Sequence, residues 1–182
     1  MWKLHALTAD DAAFRSDLER SASGRHCDSI YGHRTMIVRY DNEQDELDPM
    51  NRTVIGSSAR LSELLDGRRN NAPFFVRLSG DNGFEIMTGI GGNVGCVQYS
   101  RSDGSPPCLM AVSSRPVMKR GCVEFLTANT PTPIAARYII SFDEVKAIAI
   151  DFLKAGGRSN VVSWQILNPK AVREDIERQS DS

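Results

Sequence analysis

The sequence contains no apolar run approaching the roughly 18 residues that suggest a membrane span, so no membrane partner is expected. Charge of one sign is equally scarce in excess: 22 lysines and arginines against 23 aspartates and glutamates leave a net charge of −1. Without a basic excess there is little to hold a phosphate backbone, and direct nucleic-acid binding is not expected. The four cysteines, Cys27, Cys96, Cys108 and Cys122, include no C-x-x-C pair. In a reducing compartment such cysteines behave as small hydrophobes with free thiols. The opening residues run from Met1 into Thr8-Ala9-Asp10-Asp11, too short and acidic a stretch for a signal peptide, so the expected location is cytoplasmic. No repeat, low-complexity stretch or linker divides the chain, and 182 residues suit a single domain with its own core.

Ligand-holding patterns are also missing. Gly89, Gly91, Gly92 and Gly95 invite a nucleotide reading, but the segment after them, 94–99, is strand-like where a phosphate site needs a helix N-terminus. His26, Cys27 and His33 supply three candidate metal ligands without a fourth at a recognised spacing. None of the cysteines has the surroundings of a known nucleophile. The carboxylate pairs Asp10/Asp11 and Asp143/Glu144 sit at expected helix starts, where capping and the helix dipole account for them. Arg68-Arg69 and Lys119-Arg120 read as surface charges flanking turns, since neither is interleaved with aromatics. No catalytic residue, cofactor or metal is assigned, and a binding protein is expected in preference to an enzyme.

What is present is a run of short apolar segments punctuated by turn residues. A strand at 2–7 and a short helix from Thr8, with Phe14 and Leu18 on one face and Gly24 as its stop, come first. A strand at 35–40 precedes the acidic stretch 41–49. Ser57 caps a helix carrying Leu61, Leu64 and Leu65, closed at Asp66-Gly67. Strands at 74–78, 84–90, 94–99, 108–112 and 122–127 follow, the first of them separated by turn-forming Gly, Asn and Asp. Pro131-Thr132-Pro133 reads as an extended loop. Ser141-x-x-Glu144 is a capping box that starts the clearest helix. Its stripe Phe142, Val145, Ile148, Ala149, Phe152 and Leu153 should dock on the sheet, and Gly156-Gly157 ends it. A last strand at 161–167 carries Trp164, expected in the core. From Asn168 a polar tail follows, with Val172 and Ile176 at helical spacing. The expected fold is α+β: an antiparallel meander packed by two to three helices, with a core at 57–167, an N-terminal extension at 1–56 and a tail at 169–182.

The order of a strand ending in Gly89-Ile90-Gly91-Gly92, a helix from Phe142-Asp143-Glu144-Val145 through Asp151-Phe152-Leu153, the Gly156-Gly157 break and Val162-Ser163-Trp164 resembles the first family of bacterial polymorphic-toxin immunity proteins. The likeness spans about 57–167. It implies a small protein encoded beside a toxin that binds and neutralises it, several such toxins being cytidine deaminases or nucleases. It brings no catalytic residues, and the first 50 or so residues have no counterpart in it. The acidic run Asp41, Glu43, Asp45, Glu46 and Asp48 then gains a use: carboxylates on a loop can occupy the basic groove of a toxin that grips nucleic acid. The alternatives are a solvated loop on a generic interaction domain and a small cysteine-dependent hydrolase or transferase using Cys96, Cys108 or Cys122.

Overall fold

The computed structural model describes residues 36–167. The expected strand at 2–7, the helix from Thr8, His26, Cys27 and His33, and the tail from Asn168 lie outside the described residues. Within them the elements are β1 (Val38–Asn42), β2 (Thr53–Ile55), α1 (Ser58–Arg68), β3 (Phe74–Gly80), β4 (Phe84–Gly91), β5 (Val94–Arg101) and β6 (Cys108–Val112). There follow β7 (Cys122–Thr127), β8 (Thr130–Ala135), a 3-10 turn at Ala136–Tyr138, β9 (Ile140–Ser141), α2 (Phe142–Ala155) and β10 (Ser163–Ile166). The fold is α+β, as expected, with a meander of β3 to β6 at its centre.

The main strand order is β10-β6-β5-β4-β3-β1-β2. The pairing is antiparallel except where β7 meets β3 through Phe74 and Leu126. β1 and β2 belong to this sheet, so the part of the chain expected as an extension contributes two strands to the core. Because side chains alternate across a strand, β4 sends Ile86 and Ile90 to one face and Met87 and Gly89 to the other. The first face is covered by both helices: Leu61 and Leu65 of α1 and the whole expected stripe of α2 are buried with Val38, Tyr40, Val76, Leu78 and Val97.

The second face is covered too, at one end. The β7–β8 hairpin and the 3-10 turn bring Phe125, Ile134, Tyr138 and Ile139 against Phe75, Cys96 and Met110. Half of this hairpin escapes the sequence, since Pro131 and Pro133 argue against a strand. They fit because among the described residues β8 pairs with β7 alone, and proline is tolerated on an edge where its missing N–H is not needed. The connecting turn uses Ala128 and Asn129 at positive φ, 46° and 62°, in place of the usual Asn-Gly.

Two glycines on paired strands permit these covers to approach. A Cβ on Gly95 of β5 would lie 2.8 Å from Val145 Cγ2 of α2 and would press on the Gly89 carbonyl. A Cβ on Gly89 of β4 would lie 2.9 Å from the Phe125 ring on the opposite face. The glycine-rich stretch is therefore packing clearance for a hairpin and a helix. α1 runs one residue past the expected Gly67 stop, to Arg68, which pairs with Asp48, and Gly67 takes no positive φ and has open space around it.

These surroundings give opposite expectations for one substitution at two sites. Gly95→Ala should destabilise the protein by about 1–3 kcal/mol through overpacking, whereas Gly67→Ala, in an exposed helix, should stabilise it by roughly 0.5–1 kcal/mol. Chemical denaturation of both variants measures the difference, and equal effects would remove the clearance argument.

Candidate binding surface

The acidic stretch is an ordered loop, fastened at several points to the scaffold. β1 ends at Asn42, whose side-chain oxygen accepts from the Gln44 N–H at 2.9 Å and whose backbone N–H donates to Asn51 Oδ1 at 2.6 Å. Asn51 in turn donates through Nδ2 to the carbonyls of Asp45 and Glu46, at 2.9 and 3.1 Å. On the other flank Ala128 N–H donates to the Glu43 carbonyl at 2.9 Å. Gln44 Nε2 donates to Asn129 Oδ1 at 2.7 Å, and the Asn129 backbone N–H donates to Gln44 Oε1 at 3.1 Å. The loop is thereby tied to β1 and to the β7–β8 turn.

These ties sort the five candidate carboxylates. Asp48 points inward and is only 4% exposed. It accepts from Asn42 Nδ2 at 2.8 Å and pairs with Arg68 of α1 at 2.5 Å. Asp48 is therefore a correction to the expected surface set, because a carboxylate buried and paired beneath the loop is out of a partner's reach. Arg68, expected as a surface charge, is its counter-ion. Arg69 likewise donates to the Gly92 carbonyl at 3.0 Å and lies over the Phe142 ring. Asp41 accepts from the Arg52 N–H at 3.1 Å, and Glu43 pairs with Arg77 at 2.9 Å. Asp45 and Glu46 remain outward at the loop apex, Asp45 accepting from the Leu47 N–H at 3.0 Å. Between Glu46 and Asp48 stands Leu47, 90% exposed. Sequence reasoning passed over it, although an apolar residue inside an acidic run was the visible signal.

Beside the loop the second sheet face carries a polar group of residues. Glu85, paired in register with Ser100 of β5, has its pKa raised mainly by burial, with Glu43 adding and Arg77 opposing. Arg77 Nε and Gln98 Oε1 are buried there without a hydrogen-bond partner. Their strands pair through Met87, which stands opposite both.

Ser141 and Glu144 open α2, and Gly156 closes it. Ser141 Oγ accepts from the Glu144 N–H at 3.3 Å while Glu144 accepts from the Ser141 N–H at 2.9 Å, completing the capping box. Burial opposes ionisation of Glu144, but bonds from Ser113 and Ser141 outweigh it and hold the carboxyl below its usual pKa. Phe152 is fully buried, and Gly156 takes the left-handed conformation, φ 66°, that ends α2. Trp164, expected in the core, is instead half-buried at its margin because β10 is the outermost described strand beyond β6, its ring 6.0 Å from that of Tyr99 and its Nε1 donating to the Ser159 carbonyl at 2.9 Å. It borders an open cleft of about 510 Å³ with Tyr99, Arg158, Asn160 and Val162.

Two of the three described cysteines are set against thiolate chemistry. Burial pushes Cys96 up to about 12 and also raises Cys108, while Cys122 is exposed. Among the described residues no group of three His, Cys, Asp or Glu side chains could hold a metal ion. No family model matches the sequence, and no curated protein matches it.

Asp48→Asn should cost roughly 1–3 kcal/mol by leaving Arg68 without its counter-charge, whereas Glu46→Gln should stay within about 0.5 kcal/mol of the parent; urea denaturation distinguishes them. Thiol labelling of the native protein should modify Cys122 rapidly and Cys96 only on unfolding. Fast native labelling of Cys96 would revive the cysteine-enzyme reading.

Proposed function

We propose that this chain is an immunity-type inhibitor that binds one cognate toxin domain and occludes its active site, the toxin being a nucleic-acid-targeting deaminase or nuclease. The observation that carries the reading is the acidic loop at 43–48, tied down on both flanks and presenting Asp45, Glu46 and Leu47 outward. An enzyme that grips a phosphate backbone needs a basic groove. Two carboxylates on such a loop complement that groove, raise the rate of encounter and match its lysines and arginines. Leu47 adds an apolar contact at the centre of the charged apex, and burying its exposed side chain against a partner is favourable by about 1.5–3 kcal/mol. Because the loop is already ordered, little conformational entropy is lost on binding. The resemblance carried by Gly89-Ile90-Gly91-Gly92, α2, Gly156-Gly157 and Trp164 supports the same reading from the sequence side.

Inhibition by this route is stoichiometric. The chain would place its own carboxylates where the nucleic-acid phosphates would lie, so no chemistry is asked of it. Scaffold and specificity are separated, as is usual where loops on a rigid sheet make the contact.

Co-expression with the C-terminal domain of a toxin gene encoded alongside should restore growth and yield a one-to-one complex. Reversing Asp45 and Glu46 to lysine should weaken that complex and flatten its salt dependence. Leu47→Ala should weaken it by about tenfold or more, through lost apolar burial, while leaving the salt dependence unchanged. Affinity that is indifferent to the charge reversal at every salt concentration would sink the loop mechanism, and absence of both rescue and complex would sink the inhibitor reading.

A further inference from the structure

At the far end of the sheet from the acidic loop, β10 pairs with β6 and with no other strand among the described residues. The Leu167 N–H donates to the Cys108 carbonyl at 2.9 Å, extending a ladder in which Ile166 lies opposite Leu109 and Trp164 opposite Ala111. In an antiparallel ladder, alternate residues point their N–H and C=O toward the neighbour. Ser163, Gln165 and Leu167 therefore face β6, and the backbone groups of Trp164 and Ile166 face the outer edge.

Edge strands are ordinarily protected from pairing by a lysine, a proline or a bulge. β10 has the sequence Ser-Trp-Gln-Ile, without a charge or a proline. Its Ile166 is 70% exposed and the nearby Val161 is 49% exposed. Trp164 and Ile166 are two residues apart, so they share the face on which the helices pack. There the half-buried indole of Trp164 borders the cleft with Tyr99 and Val162.

We propose that β10 pairs with the β10 of a second copy of this chain, antiparallel about a twofold axis through Gln165, joining two sheets into one. This register is self-complementary. Trp164 of each strand stands opposite Ile166 of the other, and both outward residues exchange N–H and C=O bonds. The exposed Ile166 of each copy then covers the indole of the other and closes the mouth of its cleft, so each strand supplies both the apolar knob and the surface it needs. The acidic loop follows β1, which is separated from β10 by β3, β4, β5 and β6, a distance of about 24 Å at the usual strand spacing. Pairing through β10 leaves both loops open, and it does not depend on what they bind.

The test is the mass of the full chain in solution, by light scattering and sedimentation across the micromolar range. A monomer–dimer equilibrium is expected. Ile166→Pro removes the outward N–H without disturbing the bond pattern to β6 and should weaken the dimer by about tenfold or more. Ile166→Asp keeps the N–H, sets a carboxylate against the opposing indole and should weaken it comparably; circular dichroism checks that both variants fold. In a Cys122→Ser background, Gln165→Cys should form an intermolecular disulfide on mild oxidation, because residues opposite each other on the axis have the Cα separation a disulfide needs. Ser163→Cys, away from the axis, should not. A monomer at every concentration, as expected if this edge receives a different protein or none, would overturn the proposal. So would a dimer that both Ile166 variants leave intact and Gln165→Cys fails to cross-link.

Discussion

The architecture depends on the clearance that two missing side chains create in the middle of the sheet. Gly89 and Gly95 lie on paired strands but open toward opposite faces. Through the first, Phe125 of the β7–β8 hairpin reaches the sheet, and through the second, Val145 of α2 does. A sheet covered by helices on one face and by its own hairpin on part of the other can bury apolar residues at most positions of its central strands. Packing on both faces thereby holds the central strands in place, and a loop hung from such a frame is held with them.

That shape is set by the charge that turns inward. Asp48, buried beneath the loop, is held by Asn42 from β1 and by Arg68 from α1. Tyr40 lies in the same pocket, its hydroxyl pushed up to about 12 by burial, with Arg68 opposing and Asp48 adding to the shift. A carboxylate taken from water is tolerable only where a partner and hydrogen bonds replace its hydration. Here that requirement joins strand, loop and helix at one point. With Asp48 anchored below, the short segment above it turns Asp45, Glu46 and Leu47 outward. The proposed contact surface is thus a consequence of an internal ion pair, and the inhibitor reading rests on geometry that the fold needs for its own stability.

Much of the framework was legible in the residues. The five central strand segments follow from apolar runs bounded by Gly, Asn and Asp, and α2 follows from Ser141, Glu144 and a stripe at helical spacing, because these signals are local. The misses share one cause. β2 is three residues long, too short for a period. β8 contains prolines that only an edge position excuses. The turn at Ala128 and Asn129 takes positive φ without glycine because the pairing of β7 with β8 demands it. The candidate site was legible as an acidic run and illegible as a surface, since nothing local separates Asp48, which is buried, from Glu46, which is not.

By itself the sequence determined the class of the fold, the direction and register of its best helix, the absence of a membrane-spanning helix pattern and the stretch where negative charge accumulates. Those properties depend on composition and on spacings of a few residues, within reach of hydrogen bonds and capping. Only the tertiary structure decided which strands are neighbours, that a hairpin covers part of the second face, that one carboxylate of five is consumed inside, and that β10 lies outermost among the described strands with an exposed isoleucine. Each of these depends on contacts between segments far apart in the chain, where the deciding quantity is the space and counter-charge that one element leaves for another.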